Sequence, residues 1–310
     1  RALAGHTLVF VGDSMEEQAR TATACELLWR GGSGRLLAPA SEDADTPWLK
    51  DVRNRLAGAS DGETSCEHVW AEAQEEHHDG KEEEEAGSAQ VTHHTPVELC
   101  YVKAAATNHL ELGRALEMLL GLGEHGEDAR AGAGDVLPFL RAGDVVILGG
   151  GIWYRAGSVE KEAGVAATIT PEVTAAARRR GVALLWMETS AQHFPSADGR
   201  FKGPGYWYGG YGNDDAARKR GCTPLNSTGY RMLEARASAT AAALRRSGVA
   251  IVSSMRASWR AHDQHLANKT AHIKRKAARG FDCTHFCTPS AALDDTVVAI
   301  SRALAKVLER

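Results

Sequence analysis

No stretch of this sequence is apolar for the roughly 18 to 20 residues that a bilayer crossing takes. Its longest apolar runs, DVVILGGG and GVALLWM, are strand-sized. A soluble domain without a membrane-spanning segment is expected. An excess of one charge is also missing. The 36 Lys and Arg against 40 Asp and Glu leave a net charge of −4, which offers no surface to nucleic acid or to an anionic membrane. No internal repeat is evident, and no coherent metal-ligand spacing appears. Cys283 and Cys287 are separated by Thr284-His285-Phe286 and have no second matched pair, so the expected metal complement is none. The chain opens on Arg1 without an initiator Met or a signal-like n-region and h-region, which predicts an excised domain whose targeting segment is not included.

What is present has globular proportions. The 310 residues and 33.1 kDa suffice for one large α/β domain with a sizeable core, and 43% apolar with 25% charged residues argues against a wholly disordered chain. Six cysteines, Cys25, Cys66, Cys100, Cys222, Cys283 and Cys287, allow up to three disulfides in an oxidising compartment, with the pairing left open. Two sequons, at Asn226 and Asn268, agree with a secreted or lumenal protein.

Along the chain, residues 7–11 read as a buried strand and 15–29 as a helix. From about 40 to 95 periodicity is lost, and the run AEAQEEHHDGKEEEEAGS has no apolar face to bury. This stretch reads as a solvated, disordered acidic insertion, in which His77, His78, His93 and His94 have no role. Strand patterns return at VELCYVKA (97–104), DVVILGGG, VALLWMETS and VAIVSS. Helical patterns run through NHLELGRALEMLLGLG, TPEVTAAARRRG, GYRMLEARASATAAALRRSG and the terminal AALDDTVVAISRALAKVLER. Strands alternating with helices predict a parallel sheet sandwiched between helices, in a single domain spanning 1–310. The Gly-rich segment after VALLWMETS carries Tyr206, Trp207, Tyr208 and Tyr211. It reads equally as an aromatic platform for sugars and as a covering loop packed by its own rings. Arg256, Arg260 and His262 could bind a carboxylate or an acyl-donor phosphate, but read first as a solvated basic turn.

Ligands of parallel α/β sheets bind at the carboxyl ends of the strands, which is where Gly12-Asp13-Ser14 falls. Ser14 is either a nucleophile at the start of a helix or, like Asp13, a helix cap. The segment FDCTHFCTP supplies the partners that a nucleophile needs. Asp282, three residues before His285, can orient its Nδ1 and leave Nε2 to accept the serine proton. An early Gly-Asp-Ser with a late Asp-x-x-His is the chain order of an SGNH-type hydrolase.

FVGDS with Cys25 in the following helix, GDVVILGGGIWY, ETSAQHF and DCTHFCTP occur in the order found in the PC-esterase family. The chain resembles that family, which includes the trichome-birefringence-like polysaccharide O-acetyltransferases, from about residue 7 to 310 with 40 to 95 unmatched. The resemblance implies a three-layer α/β/α, SGNH-hydrolase-like (flavodoxin-like) parallel sheet. It makes Ser14 the nucleophile, His285 the general base and Asp282 its orienting acid. Two departures stand out. Glu17 occupies a place where the family commonly has arginine, and Gly149-Gly150-Gly151 stands where it shows an amide side chain. Backbone N–H groups around Gly12, Asp13 and Ser14 and along Gly149, Gly150 and Gly151 are then the expected oxyanion donors. His193 is a further candidate for the binding pocket, with packing as its other reading.

The resulting expectation is acetyl transfer to, or hydrolysis from, glycan hydroxyls through an acyl-enzyme on Ser14, with polysaccharide or glycoprotein glycan as substrate. No bound cofactor is expected; a transferase would use an acetyl donor as co-substrate. The Golgi lumen or the extracellular space is the expected location. The alternative is a catalytically inactive glycan-binding or scaffold domain of the same fold.

Overall fold

In the first strand, β1 (Thr7–Gly12), all six residues are buried, the signature of a strand covered on both faces. Leu8 and Phe10 belong to one apolar cluster and Val9 and Val11 to another, as a side-chain period of two requires. The computed structural model describes residues 3–30, 64–69, 97–104, 109–122, 140–150, 169–194, 196, 199, 222–265, 283–287 and 289–309.

After β1 come α1 (Ser14–Arg30), β2 (Thr64–Val69), β3 (Val97–Lys103), α2 (His109–Leu119) and β4 (Val145–Leu148). They are followed by α3 (Pro171–Arg179), β5 (Ala183–Met187), α4 (Ser227–Arg246), β6 (Ala250–Val252), α5 (Ser254–Ser258) and α6 (Ala291–Leu308). The sheet order is β2-β3-β1-β4-β5-β6. Every pairing is parallel except β2 with β3. One face packs Leu112, Leu116 and Leu119 of α2, Val173 and Ala177 of α3 and Leu244 of α4 against Val9, Val146 and Trp186. The other face packs Ala19 of α1 and Ile300, Ala303 and Leu304 of α6 against Phe10, Tyr101, Ile147 and Leu185. Helices on both faces of a mostly parallel sheet make an α/β fold consistent with three layers.

Local chemistry sets the helix starts. Thr170, Asn226 and Ser290 cap α3, α4 and α6, each accepting an N–H of the first turn through its side-chain oxygen. Asn226 is thus both an exposed sequon asparagine and a cap.

The structure departs from the sequence reading in two elements. Within 40–95, read as an insertion without regular structure, β2 pairs antiparallel with β3 and sets Cys66 directly opposite Cys100, to which it is bonded. The rest of that stretch, with its four histidines, lies outside the described residues. The segment read as a solvated basic turn holds α5, and Met255, Ser258, Ala261 and His265 are buried while Arg256 and Arg260 are exposed. It is a packed segment with a charged rim.

Cysteine pairing is also narrower than the count allowed. Cys222 joins Cys283, whereas Cys25 and Cys287 remain thiols, so two bridges form rather than three. Two disulfides are consistent with a secreted or lumenal protein. No described helix is long and apolar enough to cross a membrane.

Candidate active site

The chain leaving β1 comes back to β2 and β3 on one side of it, whereas the chain leaving its other neighbour, β4, goes on to β5 in the opposite direction. A crevice forms at such a switch point, outside the carboxyl ends of the strands. The corner after β1 opens there. Asp13 Oδ1 accepts the Met15 N–H at 2.9 Å and the Asp13 carbonyl accepts the Glu17 N–H at 3.3 Å. The Tyr101 hydroxyl donates to that same carbonyl at 3.0 Å. Asp13 is therefore the residue that caps α1, and the Ser14 hydroxyl is not needed for that purpose. Ser14 is half-buried, and its Oγ lies 2.6 Å from His285 Nε2, a contact spanning 271 positions of sequence.

His285 is delivered by the segment 283–287 just before α6. Gln18, one helical turn beyond Ser14, grips the peptide next to His285 from both sides. Its Nε2 donates to the Phe286 carbonyl at 3.0 Å and its Oε1 accepts the Phe286 N–H at 3.2 Å. The segment after β5 holds the same loop from behind. The His193 N–H donates to the Cys283 carbonyl at 3.0 Å, and Gln192 Nε2 donates to Thr284 Oγ1 at 3.0 Å. The Cys222–Cys283 disulfide adds a covalent tie, and the Cys287 N–H donates to the Gln264 carbonyl at 2.8 Å. Asp282, the expected orienting acid, lies outside the described residues.

The expected oxyanion donors are only partly available. The Asp13 N–H donates to Glu16 Oε2 at 2.8 Å, and the Gly149 N–H donates to the Val11 carbonyl at 3.0 Å as part of the sheet. Both are committed, which removes Asp13 and Gly149 from the donor set. Gly12 and Gly149 are glycines for a different reason. The Glu16 carboxyl packs so close to both that a Cβ on either would collide with it. Ser14 is the first residue of α1, where a helix N–H has no intrahelical acceptor. Gly150, at φ +152° with open space where a side chain would point, has its carbonyl taken by the Thr189 hydroxyl. Gly151 lies outside the described residues. Glu17 is exposed.

Glu16 itself is an unusual group to find beside Ser14. It is buried, and its pKa is raised well above the ordinary glutamate range, first by burial and then by the neighbouring Asp13 charge. A proton on Glu16 lets the two carboxyls hydrogen-bond rather than repel.

His193 does not line the pocket. It is fully buried, its Nε2 contacts the Trp259 carbonyl at 3.0 Å and its Nδ1 contacts His265 Nε2 at 2.6 Å, so neither nitrogen is left for a substrate. Burial pushes its pKa below the ordinary histidine value. The packing alternative describes it. Gln18, Glu16, Tyr101 and His265 went unnoticed in the sequence. Gln18 had one signal, its four-residue spacing from Ser14 on a shared helix face; the others depend on contacts between distant segments. Tyr206, Trp207, Tyr208 and Tyr211 lie outside the described residues.

No protein-family model matches the sequence, and no curated protein matches it.

Proposed function

We propose that this chain is an SGNH-type, PC-esterase-like enzyme. In this reading it moves acetyl groups onto or off glycan hydroxyls through an acyl-enzyme on Ser14. The observation that carries the reading is the 2.6 Å contact between Ser14 Oγ and His285 Nε2 at the carboxyl end of β1, within the reach that nucleophile and base require. The resemblance in DCTHFCTP supplies the remaining part, Asp282 as partner of His285.

In the first half-reaction His285 Nε2 takes the Ser14 proton while Oγ bonds to the acetyl carbonyl carbon. Negative charge collects on the carbonyl oxygen, towards the Ser14 N–H and the start of α1. The tetrahedral species collapses as the C–O bond to the leaving group breaks, and His285 returns its proton to that oxygen. In the second half-reaction an acceptor hydroxyl gives its proton to His285 and attacks the acetyl-serine; the bond from the acetyl carbon to Oγ then breaks, and His285 returns the proton to Oγ, which restores Ser14. A sugar hydroxyl as acceptor makes the enzyme an O-acetyltransferase, with an activated acetyl donor as co-substrate; water makes it an acetylesterase. The steps need no bound cofactor. The two disulfides favour a lumenal or extracellular setting, and the Golgi lumen is where a glycan O-acetyltransferase would meet its acceptor.

Intact mass after incubation with a small activated acetyl ester tests this reading. Wild type is expected to gain one acetyl group, and Ser14→Ala none. His285→Ala is expected to lower turnover by about 10⁶, the scale seen when a nucleophile–base unit is broken. Release of the label by added sugar or by water alone then separates transferase from esterase.

The commitment of the Asp13 and Gly149 N–H groups favours a second reading, a glycan-binding or scaffold domain without turnover. Neither label nor ester turnover in disulfide-bonded wild type would select it.

A further inference from the structure

Behind the His285 segment lie two histidines that the acyl-transfer steps do not use. His193 follows β5 and is 0% exposed; His265 closes the loop after α5 and is 4% exposed. They form one line of polar contacts. His193 Nε2 lies 3.0 Å from the Trp259 carbonyl, His193 Nδ1 lies 2.6 Å from His265 Nε2, and His265 Nδ1 lies 3.0 Å from the His285 carbonyl.

Counting protons fixes the charge. A carbonyl oxygen only accepts, so the two outer nitrogens, His193 Nε2 and His265 Nδ1, must each carry hydrogen. A neutral imidazole has one N–H. With both rings neutral, those hydrogens are spent at the ends, and two lone pairs would face each other at 2.6 Å with nothing between them. One additional proton turns that repulsion into a short charge-assisted hydrogen bond.

We infer that the additional proton resides on His265 Nε2, making His265 a buried imidazolium that donates to His193 Nδ1 and to the His285 carbonyl. In doing so it fixes the peptide from which the His285 ring reaches Ser14. His265 and His193 are positioning residues for the base.

The surroundings assign the charge to His265 rather than to His193. Burial weighs against a cation on either ring, His193 at 0% and His265 at 4% exposed, so the difference lies in what each ring touches. His265 stacks on the Phe286 ring with centroids 4.4 Å apart and planes at 21°, an aromatic face suited to a cation. Among the described residues, the titratable or charged groups around the pair are His262 and Asp263, which act on His193 with opposite sign, and Arg260, set over the Trp259 ring. On the facing segment they are His285 itself and Cys287, whose thiol donates to the His265 carbonyl. From α1 comes Gln18 and from the segment after β5 the Gln192 side chain, both uncharged.

Raising the pH removes the additional proton, and one of the three contacts must then break. All three contacts behind His285 coexist only while that proton is held, so the line is complete on the acid side and interrupted on the alkaline side.

The imidazolium is an inference from hydrogen-bond geometry; its effect on rate rests on the proposed chemistry of Ser14 and His285. The test uses ¹⁵N-histidine-labelled full chain, followed by long-range ¹H–¹⁵N spectra across a pH series alongside acetyl-ester turnover. His265 is expected to show two protonated nitrogens and a strongly deshielded shared proton that disappears on the alkaline side. His193→Gln, which tests the bridge should His265→Gln fail to fold, is expected to abolish that proton. His265→Gln is expected to lower kcat by on the order of 10²-fold with KM unchanged, the cost of a misplaced catalytic group, and to remove the alkaline limb of the rate profile. A His265 with one bare nitrogen throughout the series would overturn the inference, even in an active enzyme. The shared proton in a chain without turnover would uphold it and count against the acyl-transfer reading alone.

Discussion

Glu16 shows how one buried carboxyl shapes its neighbours. Its closeness explains two glycines, and its proton allows Asp13 to cap α1 without a second charge beside it. Because its pKa is raised on folding, the native chain keeps a proton that the unfolded chain releases above the ordinary value near 4.5. The associated stability is full below that ordinary value and is lost as pH rises through the folded one. Glu16→Gln cannot ionise, keeps an oxygen for the Asp13 N–H and offers an amide to its carboxylate. Its unfolding temperature is expected to match wild type in acid and to exceed it increasingly as pH rises. Thermal melts over a pH series check this, and parallel curves for the two proteins would refute a protonated Glu16. The division of labour between Asp13 and Ser14 could not be read from the sequence. Either side chain can cap a helix, and only the arrival of His285 from the far end of the chain distinguishes them.

Between elements, the decisive contact is the two-pronged grip of Gln18 on Phe286. It joins α1, which begins with the proposed nucleophile, to the segment that carries the proposed base, and it works through the Phe286 peptide groups rather than its ring. Gln18→Ala leaves a part-buried N–H and C=O without these partners, at a cost of about 1 to 3 kcal/mol. If the base shifts by about 1 Å, turnover falls on the order of 10²-fold. Stopped-flow ester hydrolysis is expected to show the loss in kcat with little change in KM; a loss confined to KM would mean that Gln18 holds substrate instead. The long elements were legible. β1, α1, α2, α3, β5, α4 and α6 have strong periods or runs, and their ends carry recognisable caps such as Thr170 and Ser290. β2 was not legible, because TSCEHV sits beside an acidic run and owes its strand form to β3 across the Cys66–Cys100 bridge. α5 has five residues, too few for any periodic signal.

Across the whole molecule, the candidate site joins the start of the chain to its far end, with a disulfide beside the joint. Cutting that tie by Cys222→Ser is expected to destabilise the chain by about 2 to 5 kcal/mol and to lower ester turnover more than Cys66→Ser does, since Cys66 lies at the opposite edge of the sheet from β5. Equal losses of turnover in the two variants, measured below their unfolding temperatures, would place the Cys222–Cys283 bridge in the general scaffold. The architecture at this scale was legible from the alternation of strands and helices, and the Ser14–His285 pairing from motif order. The support behind the base was not, because His193, His265 and Gln192 lie in segments whose only relation is spatial. The separation of 271 positions between Ser14 and His285 also sets an order of events. A ribosome releases Ser14 a full 271 positions before His285, so for that interval the serine is an ordinary alcohol at the end of β1, without its imidazole neighbour. In the proposed reading the serine gains its base only when the segment carrying His285 folds against α1, so a chain cut short before residue 285 would lack it.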